Sequence, residues 1–273
     1  VNTAPLRLAM INSDGKSAPP LPDPEGVVTE LYELRLRAFA RTPYDQLFTE
    51  LGTLDAAEAA IAAGCDAIYI DTFADYAIER VRTAAGVPVI GAGAAAVAAA
   101  GAHGRRFSVV TVWPESMAYL YDERLANCSG GQHCAGVHFF SPEDELGRLG
   151  TRAGVKARML RRESDIVDRL AEACRSAVRA DGAEAVLLGC TCMSPIAGRL
   201  AECCDFPVLD ASALGQQAAF DALRCTTAPA PRARSLRAGT ASRLVDTWLA
   251  SGFADEPSPD ECDVCVIALN DPV

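Results

Sequence analysis

The chain has 273 residues, half of them hydrophobic, and a formal net charge of −11 at pH 7. That length suits two lobes of roughly 100–150 residues each. The acidity argues against nucleic acid and anionic membrane surfaces as partners, but leaves an anionic small molecule open, because local amides and hydroxyls can bind a carboxylate. No apolar run reaches the roughly 18 residues of a membrane span, and no basic stretch followed by an apolar one marks a leader, so the expected location is cytoplasmic.

In chain order, Leu6–Asn12 reads as a short apolar strand ending in the polar turn Asn12-Ser13-Asp14-Gly15. Ala18–Pro24 is too rich in proline for regular structure. Val28–Ala40 carries Leu31, Leu34, Leu36 and Phe39 in a pattern that fits neither helix nor strand completely. Helix is then expected over Leu54–Ala63, strand over Asp66–Ile70, helix over Ile78–Ala85, strand over Val87–Ile90, helix over Ala94–Ala102, strand over Phe107–Val112 and helix over Glu115–Leu125. Cys128–His138 reads as a loop and Val137–Phe140 as a short strand. One long amphipathic helix is expected over Arg158–Arg179, followed by strand Ala185–Leu188, helix Pro195–Cys203, strand Val208–Leu209 and helix Ala211–Leu223. Pro229–Arg234 looks like a linker, and beyond it lie a helix over Ser242–Ala250 and a strand over Val264–Leu269. Such alternation predicts an α/β fold with parallel sheets.

The chain contains one of its segments twice. Asp66-Ala-Ile-Tyr-Ile-Asp71-Thr72-Phe73 is matched 118 positions later by Glu184-Ala-Val-Leu-Leu-Gly189-Cys190-Thr191. Each copy leads through a helical stretch to a second apolar strand, Val87-Pro88-Val89-Ile90-Gly91 in one and Phe206-Pro207-Val208-Leu209-Asp210 in the other. A duplicated βαβ unit implies two pseudo-symmetric, Rossmann-like lobes with matching strand ends at a shared cleft. The expected boundaries are 1–110 with 211–225 for the first lobe and 111–210 for the second, with 226–273 as an extension that has no counterpart in the duplication.

In parallel α/β sheets, ligands bind beyond the carboxyl ends of the strands. Here those ends carry Asn12-Ser13, Asp71-Thr72, Thr111 and Gly189-Cys190-Thr191. Cys190 is the candidate reactive group, because it lies between a buried strand and a helix start, where free amides stabilise a thiolate. The competing reading is a cysteine packed at a strand end. Thr72, its counterpart, is a poor base but can donate a hydrogen bond to a developing enolate. Asp71 is an alternative base, although neighbours on a regular strand point to opposite faces. Asp75 is a candidate cap for the next helix. Tyr119 and Tyr121 could reach the pocket from the helix after Thr111, but read first as core residues. Gly91-Ala-Gly93 is only a fragment of a dinucleotide loop, because Ala96 stands where the last glycine belongs.

Eleven cysteines invite a disulfide or metal reading. Their placement beside helical stretches argues against both, and His103, His133 and His138 have no metal-ligand spacing to the pairs Cys190/Cys192 and Cys262/Cys265. No cofactor and no metal are expected.

The motifs Val186-Leu-Leu-Gly189-Cys190-Thr191, Pro207-Val208-Leu209-Asp210, Pro88-Val89-Ile90-Gly91-Ala-Gly93 and Phe107-Ser-Val-Val-Thr111 resemble the aspartate/glutamate/hydantoin racemase superfamily, with its hydantoin racemase branch the nearest in pattern. The resemblance covers roughly residues 5–225. It implies two lobes, no cofactor, and a cysteine from each lobe flanking the substrate α-carbon. The second-lobe cysteine matches Cys190. Where the family shows Cys-Phe-x-Asp in the first lobe, this chain has Thr72-Phe73-Ala74-Asp75. The resemblance also assigns Asn12 and Ser13 to a carboxylate or carbonyl contact, and Asp71, Phe73, Thr111, Gly189 and Thr191 are the further candidate substrate contacts. Relatives such as arylmalonate decarboxylase keep only the second-lobe cysteine, and maleate isomerase-like relatives use a cysteine as nucleophile on a double bond.

Together these features predict a cofactor-independent isomerase or racemase acting on a small carboxylate, amide or hydantoin-like molecule through Cys190, with a one-cysteine decarboxylase as the runner-up. A non-catalytic binding protein descended from such an enzyme is the rival of a different class. A small-molecule substrate and a homo-oligomer are the expected partners.

Overall fold

The computed structural model describes residues 4–12, 19–36, 38–149, 151–225 and 239–251. The expected linker at 229–234, the strand at 264–269, Ser13 and the pair Cys262/Cys265 fall outside them. The chain divides into two units: one runs through Gly91 and resumes at Gly215, the other spans Ala92–Leu214.

In the first unit, the run Leu6–Asn12 forms β1, and the stretch whose pattern was ambiguous becomes β2 (Val27–Glu33). Its mixed burial explains the ambiguity, because β2 is an edge strand paired only with β1. Helix α1 (Pro43–Ala62) starts well before the apolar signal does. Thr42 and Asp45 form a capping box, with proline in the first turn. Then follow β3 (Ala67–Ile70), α2 (Ile78–Ala84) and β4 (Val89–Gly91), giving a parallel sheet of order β2-β1-β3-β4. Every residue of β3 is at most 1 % exposed, as expected for a parallel strand covered on both faces.

The second unit repeats the plan. Helix α3 (Ala92–Ala100) is followed by β5 (Phe107–Thr111), α4 (Ala118–Asn127) and β6 (Cys134–Phe139). Helices α5 (Val155–Leu160) and α6 (Ser164–Asp181) lead to β7 (Ala185–Leu188), α7 (Ser194–Glu202) and β8 (Val208–Asp210). The parallel order is β6-β5-β7-β8. Helix α8 (Ala211–Cys225) starts in this unit, and its residues from Gly215 onward belong to the first.

The duplication extends to single hydrogen bonds. Asp66 N–H donates to Arg7 O as Glu184 N–H does to Arg106 O, both at 2.8 Å. Asp71 N–H donates to Ile11 O as Gly189 N–H does to Val110 O, again both at 2.8 Å. These pairs place Thr72 and Cys190 at the same position of the two copies.

Three expectations need correction. The unit boundary falls after Gly91 and not near residue 110, because α3 packs on β7 and β8 and β5 pairs with β6 and β7. The single helix expected over Arg158–Arg179 is two, broken where Arg162 adopts a left-handed φ of 54°. Glu163 pairs with Arg158 and Arg161 across the break. The loop expected over Cys128–His138 gives way at Cys134 to a six-residue strand.

A last helix, α9 (Thr240–Ala250), belongs to the first unit and packs on α1. Arg35 ties it down by pairing with the buried Asp55 of α1 and with Asp246 at 2.6 Å. Among the described residues, no helix is long and apolar enough to cross a membrane.

In the second unit, Asp181 at the end of α6 accepts from Ser108 Oγ of β5 at 2.5 Å and lies 2.7 Å from His138 Nε2 of β6. Burial alone would raise its pKa, but these two contacts outweigh it and hold the carboxyl below the usual range. A depressed native pKa stabilises the fold above the unfolded value and loses that contribution as pH falls. Ser108→Ala is therefore expected to cost about 1 kcal/mol and to move acid unfolding to higher pH, read by circular dichroism. An unchanged acid midpoint would contradict this linkage.

Candidate functional site

In each sheet the chain steps from its first strand to one edge and then returns to the other side. The carboxyl ends of the first and third strands in sequence therefore flank the switch point where ligands bind in open α/β sheets. In the first unit these ends belong to β1 and β3, in the second to β5 and β7.

At the first unit's switch point, Asn12 ends β1 and is 4 % exposed. Asp71 follows β3 with its Oδ1 accepting from the Tyr69 hydroxyl at 2.9 Å, so its carboxylate lies on the face of the strand that carries Tyr69. Phe73 is buried. The Thr72 hydroxyl oxygen is buried and has no hydrogen-bond partner among the described residues. Buried polar atoms are nearly always paired, so an orphaned hydroxyl beside a switch point marks a position where a ligand atom would complete the bonding.

The turn that follows is strained. Asp75 and Ala77 both have left-handed backbones, with φ of 48° and 57°. For alanine that conformation costs roughly 1–2 kcal/mol. Asp75 is 1 % exposed, and its carboxyl lies against Gly91, where any Cβ would collide with it. It does not cap α2 as expected: Ala77 holds the cap position, without a side-chain bond.

The second unit's switch point is built differently. Gly189 N–H is held by Val110 O, and its carbonyl accepts from the Tyr121 hydroxyl at 3.0 Å. A carbonyl can only accept, so Tyr121 spends its one proton there. Thr111 Oγ1, 2.5 Å away, must then donate to the phenol oxygen, and it accepts in turn from Trp113 N–H at 3.4 Å. Burial raises the Tyr121 pKa far above the usual phenol range and keeps it a neutral donor. Thr111 is fully buried, so its hydroxyl serves this chain, although the sequence had suggested a substrate contact.

Cys190 follows directly as the cap of the short 3-10 turn Thr191–Met193, which runs on into α7. Its Sγ accepts from Cys192 N–H at 3.2 Å, and its carbonyl accepts from Met193 N–H at 3.0 Å. Cys190, Thr191 and Cys192 are all half-buried. The sequence argued against disulfides, yet the sulfurs of Cys190 and Cys192 are joined, with Cα atoms 5.2 Å apart. A spacing of two residues is short, but the tight turn brings the side chains together. Cys190 therefore needs reduction before it can act as a thiolate.

A second, half-buried group supports this turn. Ser194 Oγ at the start of α7 donates to Asp210 Oδ2 at 2.5 Å, and Ser212 N–H donates to Oδ1 at 3.0 Å. Burial pushes the Asp210 carboxyl upward, partly opposed by these donors. Sequence reasoning missed the roles of Tyr121, Ser194 and Asp210. The only signal available was that Asp210 stands at a strand end beside the start of a helix. Among the described residues no cluster of His, Cys, Asp and Glu is arranged to hold a metal ion.

Comparison with known proteins gives a consistent picture. A family model described as Asp/Glu/Hydantoin racemase matches residues 9–219. A hydantoin racemase from Rhizobium meliloti is 35 % identical over 150 residues, covering 55 % of this chain and 56 % of that protein. One from Pseudomonas sp. (strain NS671) is 30 % identical over 180 residues, covering 63 % and 64 %. The chain thus aligns with less than two thirds of the length of these relatives. Among solved structures, allantoin racemase from Klebsiella pneumoniae superposes with a TM-score of 0.65 at 24 % identity, covering 82 % of this chain and 90 % of the other. Arylmalonate decarboxylase does so with a TM-score of 0.52 at 17 % identity, covering 83 % and 96 %. At such identities the structural likeness speaks for the fold alone.

The Gly189 peptide is the most sensitive point. Tyr121→Phe leaves the Gly189 carbonyl and the Thr111 hydroxyl short of a partner and is expected to cost about 1–3 kcal/mol. A Cβ at residue 189 would sit 2.7 Å from Val109 Cγ1 and 3.0 Å from the Tyr121 ring, so Gly189→Ala should cost a similar amount, on the order of 1–3 kcal/mol. Urea unfolding checks both. Wild-type midpoints in the two variants would rule out this tight support.

Proposed function

The chain belongs to the Asp/Glu/Hydantoin racemase family, and from that premise we propose that it is a cofactor-independent isomerase that labilises the hydrogen α to a carbonyl in a small carboxylate, amide or hydantoin-like molecule. The observation that carries the reading is the placement of Cys190. Its sulfur sits at a switch point with a turn amide directed at it and a helix beginning just beyond.

In the reduced protein, the Cys190 thiolate removes the α-proton. The electron pair left behind delocalises onto the neighbouring carbonyl as an enolate. The amide at Cys192 and the start of α7 favour the charged sulfur before transfer. In the first unit, the Thr72 hydroxyl, which lacks a partner among the described residues, is a donor open to a ligand oxygen. For the product to be inverted, the planar enolate must turn its other face to the Cys190 thiol, which then returns the proton to carbon. Asp71 is a weak choice for a second base, because its carboxylate is already engaged by Tyr69.

One observation favours a second reading. Thr72 stands where the duplication would put a second thiol, and a single thiol suits a lyase in which loss of carbon dioxide generates the enolate and Cys190 protonates it from one side.

The test uses reduced protein and each enantiomer of a 5-substituted hydantoin in deuterium oxide, followed by NMR and polarimetry. Exchange at the α-carbon is expected, falling roughly 10²–10⁴-fold in Cys190→Ser as an acid–base group is lost. Exchange that survives Cys190→Ser overturns the reading. A one-handed product from a prochiral malonate, without exchange into hydantoins, replaces it with the lyase.

A further inference from the structure

We infer that Cys190 and Cys192 form a site of reversible oxidation whose oxidising substrate is a hydroperoxide, with Cys192 closing the disulfide. The effect on activity rests on the reading of Cys190 as the reacting thiol; the thiol chemistry itself does not.

The two sulfurs are joined in a turn that the Met193 amide closes onto the Cys190 carbonyl at 3.0 Å. Both residues are half-buried and within reach of a small oxidant. The amide that donates to Cys190 Sγ at 3.2 Å favours thiolate, the form that attacks a peroxide. The other described cysteines lack this combination. Cys65 and Cys174 are buried, and burial pushes the Cys174 thiol up to about 12. Cys203 and Cys225 are exposed free thiols. The pair is also confined to one copy of the duplication, because Thr72 and Ala74 occupy the matching positions of the other.

The chemistry balances in two steps. Cys190 thiolate attacks one oxygen of hydrogen peroxide, the O–O bond breaks, and the departing hydroxide takes a proton to leave as water. Cys192 then attacks the resulting sulfenic sulfur, the S–O bond breaks, and a second water departs. Two thiols lose two electrons and one peroxide becomes two waters. Because the second sulfur is already in place, the disulfide forms before the sulfenic acid can proceed to the irreversible sulfinic acid. A dithiol reductant, itself oxidised to a disulfide, supplies two electrons and two protons and restores both thiols. The pair thereby silences the proton-transferring group under oxidation and protects it from permanent damage.

The test treats reduced full-length protein with hydrogen peroxide, blocks remaining thiols by alkylation, and maps each cysteine by peptide mass spectrometry before and after dithiothreitol. The expected product is the Cys190–Cys192 disulfide, reversed by dithiothreitol, with deuterium exchange lost and regained in step. In Cys192→Ser, the same treatment should leave Cys190 as sulfinic acid, and exchange, measured against that variant's own reduced value, should not return. Full alkylation of both cysteines after peroxide, or sulfinic acid at Cys190 in the wild type, overturns the proposal. If no substrate shows exchange, the function reading fails while the thiol map still decides this one.

Discussion

The second unit's candidate site depends on how one peptide is held. Gly189 is clamped on both sides: its N–H by the Val110 carbonyl and its C=O by the Tyr121 hydroxyl. The residue has no side chain because Val109, Tyr121 and Thr111 fill the space a Cβ would need. With that peptide fixed, the backbone at Cys190 has little freedom, and its sulfur is delivered to the Cys192 amide of the following turn. Buried networks of this kind are costly when partly satisfied and rigid when complete. This one is complete from the Trp113 amide to the Gly189 carbonyl.

The two copies diverge where chemistry would be expected. Strand, ladder bonds and the first backbone turn are shared: Asp75 N–H reaches Thr72 O as Met193 N–H reaches Cys190 O. Beyond that point the second copy enters a helix almost at once, whereas the first passes through two left-handed residues before α2 begins at Ile78. A helix start near the strand end favours an anion, and the copy that has one carries the ionisable thiol. The copy without it carries a hydroxyl, which acts as a neutral donor. Sequence difference and backbone difference point the same way.

Much of this was legible in the sequence because it is local or periodic. The continuous apolar runs at 67–70 and 185–188 read as parallel strands covered on both faces, which is what they form, and their duplication matched Thr72 with Cys190. The rest depends on residues far apart in the chain. Tyr121 reads as an ordinary core aromatic until Gly189, 68 positions away, is seen to accept its proton. Arg35 gives no hint that it meets Asp246, 211 positions on. The division of the helix at Arg162 turns on one left-handed residue within an otherwise helical pattern. The Cys190–Cys192 bond was discounted from the placement of the cysteines, because spacing alone does not reveal a turn tight enough to bring the sulfurs together.

The central claim is that the turn after β7 makes Cys190 a thiolate in the reduced protein. It is tested most directly by the rate of iodoacetamide labelling at Cys190 across pH 5–9, resolved by peptide mass spectrometry in the presence of reductant. The account predicts selective labelling with an apparent pKa below the roughly 8.5 of a free thiol. A Cys190 that titrates as an ordinary thiol, or stays unlabelled while Cys203 and Cys225 react, would contradict it.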